Sequence, residues 1–298
     1  MLNFAIIGAD NYDMILQKIR SEIEDKLVNI TCLFATKPGY YFNADTRLHS
    51  IEEIGECNQY LDYYIIADND ELYWWNYLCN QIPEDKIILG RVITKYIGFD
   101  LFEYLKLKAS NISIISDSCW GGMVYHNLGM RFATPLVNTA VEKEDFFKLI
   151  LNLEYYMSCP LEKYKERSAT LPPVGILGGE VKIGLNHYTD FYEGKKAWER
   201  RVDRINYNNI FIEMDTIESE KDVELFKQCK YEKKVAFTKN DYSTKSLFYM
   251  KQWDDVNVRI KSGSFRGYVQ NIISDCPAFP RPMDVEKMLN GSMDYIRM

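Results

Sequence analysis

The first hundred residues alternate apolar runs of strand length with amphipathic runs of helical spacing, and this alternation constrains the fold more than any other feature. NFAIIG (3–8) is a β-like run ending at Gly8, and NYDMILQKIRSEI (11–23) sets Met14, Ile15, Ile19 and Ile23 at helical spacing. VNITCLF (28–34) and LDYYIIA (61–67) predict strands, ELYWWNYLC (71–79) a helix and KIILG (86–90) a fourth strand. Strands joined through helices run parallel, so residues 1–108 predict a Rossmann-like α/β domain.

The residues that would hold a dinucleotide depart from the fingerprint of such domains. That fingerprint wants glycines at the turn, at the pyrophosphate and at the helix contact. Aligned from Gly8, GADNYD keeps the first glycine alone, with Asp10 at the second position and Asp13 at the third. Phe34, Ala35 and Thr36 stand where an acidic residue should end the second strand. The carboxylates would repel a pyrophosphate, so NAD(P) is disfavoured as cofactor. Gly8, Asn11 and Asp68 remain candidates to line a ligand crevice at the strand ends. Asp68, Asn69 and Asp70 also suit the other common use of such residues, capping the next helix.

Length and composition set the wider limits. At ~150 residues per domain, 298 residues suggest two domains, here 1–108 and 109–298. With 47% apolar and 27% charged residues the chain can build cores, which excludes a disordered chain. Thirty-six basic against 43 acidic residues give a net charge of −7, which argues against a general nucleic-acid binder. The start has no basic segment ahead of an apolar run, and no stretch approaches the ~18 apolar residues of a membrane span, so a cytoplasmic protein is expected. The seven cysteines (32, 57, 79, 119, 159, 229, 276) and three histidines (49, 126, 187) are widely spaced, so reduced thiols and no metal site are expected.

Beyond residue 108 the pattern predicts a larger α/β domain. NISIIS (111–116) is a strand running into DSCWGG (117–122) and a short helix, and EDFFKLILNLEYYM (144–157) is a helix. VGILGGEVKIGLNHY (174–188) suggests a hairpin turning at Gly178-Gly179, and DFYEGKKAWERRVDRI (190–205) a helix weakened by Gly194. IFIEM (210–214) is a strand and SEKDVELFKQC (219–229) a helix; KVAFT (234–238) and SLFYM (246–250) are strands. PAFPRP (277–282) reads as a rigid loop before a last helix at 285–289.

Ligands of open α/β sheets gather at the carboxyl ends of the strands. That rule selects Asp117, His187, Asp215 and Lys239, each following a strand, with His187 and Asp117 as candidate acid/base residues and with His187 and the DSCWGG loop expected to line one pocket. Gly121 and Gly122 can let backbone approach a ligand at a helix N-terminus. Cys119 there is a candidate nucleophile or a buried structural thiol beside Trp120, and His126, two helical turns on, is a distant base for it. On the helix over 190–205, Arg200 and Arg204 stand four residues apart, so their guanidinium groups share a face. With Arg201, Asn206 and the ring of Trp198 they form a candidate phosphate and sugar subsite, or else a solvated charged face.

SIISDSCWGGMVYHNLG, FKLILNLEYYM, VGILGGEVKIGLNHY, AWERRVDRINYNNIF and KVAFTKNDYSTKSLFYM, in that order, resemble a bacterial family known as domain of unknown function 1919, over residues 110–291. Members often carry labels of exopolysaccharide or cell-surface polysaccharide biosynthesis. The family's first motif usually reads SDNCWGG, and Ser118 replaces its Asn. The resemblance implies a setting, surface-glycan assembly, and no settled catalytic residues.

A transferase of surface-polysaccharide biosynthesis, glycosyl or acyl, acting on a nucleotide sugar or a sugar intermediate, is therefore expected. The alternative is a non-catalytic sugar- or nucleotide-binding assembly protein. The partner in either case is a small sugar or nucleotide-sugar ligand. Calorimetric titration with NAD and NADP should show no binding in the micromolar range; micromolar affinity for either would overturn the reading of the degenerate fingerprint.

Overall fold

The computed structural model describes residues 1–37, 48–95, 99–164, 172–273 and 283–292, and the chain divides into two compact units, Met1–Leu105 and Lys106–Met298. The fold is α/β in both. PAFPRP (277–282) lies outside the described residues.

In the first unit, β1 (Leu2–Ile7), β2 (Val28–Ala35), β3 (Leu48–Ser50), β4 (Tyr63–Ile66) and β5 (Ile87–Leu89) form an all-parallel sheet in the order β3-β2-β1-β4-β5. Around it run α1 (Tyr12–Lys18), α2 (Arg20–Glu24), α3 (Ile54–Cys57), α4 (Glu71–Cys79) and α5 (Gly90–Lys95). The single helix expected over 11–23 is two, because buried Ile19 leaves helical geometry at φ −106° and ψ 24°. The strand order reverses between β1 and β4, the switch point at which doubly wound sheets bind ligands.

Several polar side chains meet at that point. Gly8 has φ +81°, and a Cβ there would stand 2.7 Å from Asp68 Cβ and 2.9 Å from the Asp68 nitrogen. Buried Asp68 accepts from the Thr36 hydroxyl at 2.6 Å and the Asp70 N–H at 2.9 Å, with Lys37 Nζ at 3.6 Å. Asp10 accepts the Asn69 N–H at 2.9 Å, and the Asn11 amide reaches Asn69 Oδ1 at 3.2 Å. Asp70 is the N-cap of α4, accepting the Tyr73 N–H at 3.4 Å. The structure thus brings Gly8, Asn11 and Asp68 together at the switch point.

In the second unit, which α6 (Leu101–Ala109) leads into, β6 (Ser113–Ser116) is followed by α7 (Trp120–Asn127), α8 (Lys143–Leu151) and α9 (Leu153–Ser158). Next come β7 (Glu162–Lys163), β8 (Val174–Leu177), β9 (Val181–Gly184), α10 (Phe191–Val202), β10 (Ile210–Ile217) and α11 (Glu220–Gln228). β11 (Lys234–Thr238), β12 (Leu247–Tyr249), α12 (Val256–Ser262), α13 (Phe265–Ile273) and α14 (Val285–Leu289) complete it. β12-β11-β10-β6 is a parallel sheet, and β7-β8-β9 is a separate antiparallel one.

The parallel sheet is buried on both faces, as such sheets must be. Ile115, Ile212 and Met214 share one core with Phe146 and Ile150 of α8, Phe226 of α11 and Trp198 of α10. Phe211 and Phe237 pack around the fully buried Trp120, with the Trp120 and Phe211 rings stacked 6.4 Å apart. The helix expected over 144–157 breaks at Asn152 (φ −133°, ψ 44°) into α8 and α9.

Gly178 and Gly179, at φ +56° and +74°, turn the β8–β9 hairpin. Gly194, a weak point for α10 in propensity terms, is required by packing, since a Cβ would stand 2.6 Å from Leu185 Cδ1. Among the described residues no helix is long and apolar enough to cross a membrane.

Replacing Gly8 with Ala forces both a left-handed backbone and a clash with Asp68. The Gly8→Ala chain should lose about 2–4 kcal/mol in urea denaturation. A loss within about 0.5 kcal/mol, the usual range of a neutral surface change, would contradict this account.

Candidate functional site

The carboxyl edge of the parallel sheet in the second unit gathers ionisable side chains. β6 and β10 run in parallel register, Glu213 opposite Ser116. Ser116 Oγ donates to Glu213 Oε2 at 2.6 Å, and Asp117, just past β6, accepts the Asp215 N–H at 3.1 Å. Asp215 lies inside β10 rather than after it, where the β10–β11 register slips between Met214 and Ile217. Each of Asp117, Glu213 and Asp215 is at most 1% exposed, and one oxygen from each lies within 4.8 Å of the others.

One cation from α13 answers this charge. Arg266 Nη2 bonds Asp117 Oδ2 at 3.2 Å and its Nε lies 2.9 Å from Asp215 Oδ2, while Gln270, one turn on, donates to Asp215 Oδ2 at 3.4 Å. Glu213 Oε1 and Asp215 Oδ1 are buried with no hydrogen-bond partner among the described residues.

Two facing acceptors are reconciled by one proton. Burial first, then the charges of Asp215 and Asp117, push the Glu213 carboxyl well above the usual range, so it stays protonated and donates to Asp215. Burial also raises Asp215, against the pull of the Ser118 hydroxyl and Arg266. Asp117 is pushed up to about 8, by burial and then by Asp215, with Arg266 opposing. The same three oxygens could also take a hard divalent cation in place of the shared proton, since carboxylate oxygens are its usual ligands.

A second pair stands at the same edge. Cys119, the N-cap of α7, has its Sγ 3.5 Å from His187 Nε2. Asp117 and Lys239 follow β6 and β11 of the parallel sheet and Asp215 lies within β10, whereas His187, expected at a fourth parallel strand end, follows β9 of the antiparallel sheet. A backbone link brings it over. Ala140 and Gly184 exchange N–H···O bonds of 2.9 and 2.8 Å, and the next residue, Val141, donates to the Asp117 carbonyl at 2.8 Å. Arg201 steadies the neighbour of His187, bonding the Tyr188 hydroxyl at 2.8 Å. His187 is exposed and Cys119 half-buried. Burial and then the Asp215 charge raise the Cys119 thiol, with Arg266 pulling the other way, so it rests as a thiol that needs a base.

Trp120 is core, and Gly121 is small because of the sheet beneath it: a Cβ would stand 3.0 Å from Ile114 Cγ2 and 3.2 Å from Ser116 Cβ. A Cβ on Gly122 would only touch Val137, at 3.4 Å. His126 is exposed in the last turn of α7.

The subsite read from Trp198, Arg200, Arg201, Arg204 and Asn206 is corrected in two respects. α10 stops at Val202, so Arg200 and Arg204 do not share a helical face, and Trp198 is 3% exposed within the core. Arg201 and Arg204 donate to the carbonyls of Val137 and Phe132, and Arg200 is exposed. Asn206 bonds Asn111 and the Ser113 hydroxyl at the amino edge of the sheet, across β6 from Asp117. Lys239 pairs with Glu218 at 3.7 Å.

Sequence reasoning passed over Glu213, Arg266 and Gln270. Glu213 stands inside an apolar strand, where a charged residue needs a partner. Phe265, Tyr268, Val269, Ile272 and Ile273 mark a helix by their spacing, with Arg266 and Gln270 four apart on its flank.

The fold and site define an α/β protein with a thiol–imidazole pair beside a buried carboxyl cluster. The chain belongs to the family described as Domain of unknown function (DUF1919), whose model matches residues 90–272. It is 32% identical over 155 residues to an "Uncharacterized protein" of Haemophilus influenzae, a match covering 51% of this chain and 74% of that one. It is also 25% identical over 162 residues to the methionine–tRNA ligase of Buchnera aphidicola, covering 52% of this chain and 28% of that enzyme. A solved structure of a mutant meso-dapdh with DAP from Clostridium tetani aligns over 76% of this chain and 74% of that chain, at 11% identity and a TM-score of 0.23, too low to carry an argument.

The carboxyl cluster dictates a pH dependence. Folding raises these pKa values, so the folded state holds the extra protons and the cluster favours it most at low pH. That contribution is lost as pH rises from the ordinary carboxylate range near ~4 through about 8, where Asp117 titrates. Glu213→Gln keeps a donor toward Asp215 and removes a buried acid. It should melt with wild type within about 0.5 kcal/mol at pH 5 and exceed it by about 1–3 kcal/mol at pH 9. Parallel melting curves across this range would refute the shared-proton account.

Proposed function

We propose that the second unit carries the active centre of a transferase that moves an acyl group onto a sugar hydroxyl during surface-polysaccharide assembly, with Cys119 as nucleophile and His187 as base. The observation that carries this reading is the 3.5 Å contact between Cys119 Sγ and His187 Nε2 at the carboxyl edge of a parallel sheet. The glycan setting comes from the family resemblance of the motifs that surround the pair.

The chemistry divides into two balanced half-reactions. His187 Nε2 takes the thiol proton as Sγ attacks the carbonyl carbon of an activated acyl donor. The bond from that carbon to the donor's leaving group breaks, and the leaving group departs with the proton from His187. In the second half a sugar hydroxyl gives its proton to His187 and attacks the acyl-thioester. The new ester forms, the C–S bond breaks, and the sulfur recovers its proton. The first-turn N–H groups of α7 at Gly121 and Gly122 have no acceptor within the helix and suit the developing oxyanion. Arg266, whose side chain is 43% exposed, supports binding of an anionic donor.

A second reading attaches to the two unpartnered oxygens, Glu213 Oε1 and Asp215 Oδ1. With Asp117 they suit Mg2+ or Mn2+, and the cluster would then serve glycosyl transfer from a nucleotide sugar, with no covalent step at Cys119.

Incubation with a panel of short-chain acyl-CoA thioesters, followed by intact-mass and peptide analysis, separates the readings. Acylation should map to Cys119, vanish in Cys119→Ala and form about 10²–10⁴-fold more slowly in His187→Ala, with an unchanged Tm because His187 is exposed. Absence of any acyl adduct, with metal-dependent turnover of a nucleotide sugar that survives Cys119→Ala, would establish the second reading and overturn the first. Ligand binding without turnover in either assay would make the chain an assembly protein.

A further inference from the structure

We propose that the first unit holds a zinc ion on Cys32, His49 and Cys57, a site separate from the carboxyl cluster of the second unit. The three residues are far apart in sequence, and their spacing alone argued against a metal. The fold removes that objection. β2 and β3 are parallel, with Phe34 opposite His49 and their rings 5.5 Å apart. Side chains two residues apart on a strand share a face, so Cys32 and His49 project to one side of the sheet. The following turn and α3 bury Ile54 and Cys57, three residues apart, and this brings the Cys57 thiol to the same place. One ligand atom from each of Cys32, His49 and Cys57 lies within 4.8 Å of the others, and all three residues are at most 7% exposed.

Two further contacts favour a metal over a packed cluster of soft side chains. His49 Nδ1 lies 2.8 Å from Glu53 Oε2, which fixes the ring and leaves Nε2 as the coordinating nitrogen. A carboxylate on the far nitrogen is the usual outer partner of a zinc-bound imidazole. The Tyr60 hydroxyl lies 3.9 Å from Cys32 Sγ, so an oxygen donor stands next to the cluster. Zinc–sulfur and zinc–nitrogen bonds of ~2.3 and ~2.0 Å put tetrahedral donors somewhat under ~4 Å apart, so the donors need close by only about an ångström. Two thiolates and an imidazole select zinc over the hard cations that the carboxyl cluster would take. A depression lined by Ala35, Thr36, Leu48, His49 and Ser50 gives access from the His49 side. Binding converts both thiols to thiolates and releases their two protons to the buffer, with no change of oxidation state.

The test uses the full chain, freed of metal with a chelator and titrated with Zn2+ or Co2+ alone. About one equivalent should bind and survive gel filtration, with roughly two protons released. The Co2+ form should show a near-ultraviolet thiolate-to-metal band. That band should be lost in Cys57→Ser and His49→Ala and kept in Asp117→Asn, which separates this site from the carboxyl cluster. Should the variants misfold, wild type still decides. Zinc should shield Cys32 and Cys57 from alkylation in peptide mapping while leaving Cys119 reactive. Absence of stoichiometric metal, absence of the thiolate band, or a Cys32–Cys57 disulfide in the purified chain would each overturn the proposal.

Discussion

The architecture of the second unit converges on Asp117. Its carbonyl accepts the Val141 N–H, its side chain accepts the Asp215 N–H, and Arg266 pairs with its other oxygen. A carboxyl group 1% exposed has lost its water, and each lone pair must find a donor or the group must take up a proton. Three elements are thereby held to one point: β10 through Asp215, α13 through Arg266, and the 140–141 segment. That segment in turn pairs with Gly184 and carries the antiparallel sheet with it. Hydrophobic burial supplies the larger share of the stabilising free energy, but it is non-directional. The polar contacts at Asp117 select which packing arrangement results, and so where His187 meets the Cys119 sulfur.

Much of this was legible in the chain itself, for identifiable reasons. Strands such as NFAIIG and KVAFT are short apolar runs bounded by polar residues, and their extents follow from pattern alone. The hairpin at Gly178-Gly179 was legible because both residues need a positive φ. The breaks at Ile19 and Asn152 were not, since each interrupts a continuous amphipathic pattern for the sake of packing. At the site, Asp117 was visible as the first polar residue after a strand and Cys119 as a thiol at a helix N-terminus. A shared pocket for His187 and the DSCWGG loop was expected from a His at another strand end, but the Ala140–Gly184 pairing that carries His187 to the Cys119 sulfur joins two short segments with no marking of their own. Arg266 lay hidden for a similar reason: its role is set by a helix packing against a strand fifty residues earlier.

The two units resolve the same problem of strand-end polarity in different ways. In the first, Asp68 follows β4 at the switch point and is met by Thr36, the Asp70 N–H and Lys37. In the second, the buried carboxyls of Glu213 and Asp215 meet each other and share a proton.

The close seat of Gly121 on β6 also bears on how the chain can vary. A Cβ there would meet Ile114 and Ser116 at 3.0 and 3.2 Å, and Ser116 in turn holds Glu213. Every single-base change of a glycine codon that alters the amino acid adds a side chain. Position 121 therefore has no sterically silent neighbour in the genetic code, and any amino-acid change there by point mutation requires Ile114 and Ser116 to give way by a few tenths of an ångström beneath the turn that carries Cys119.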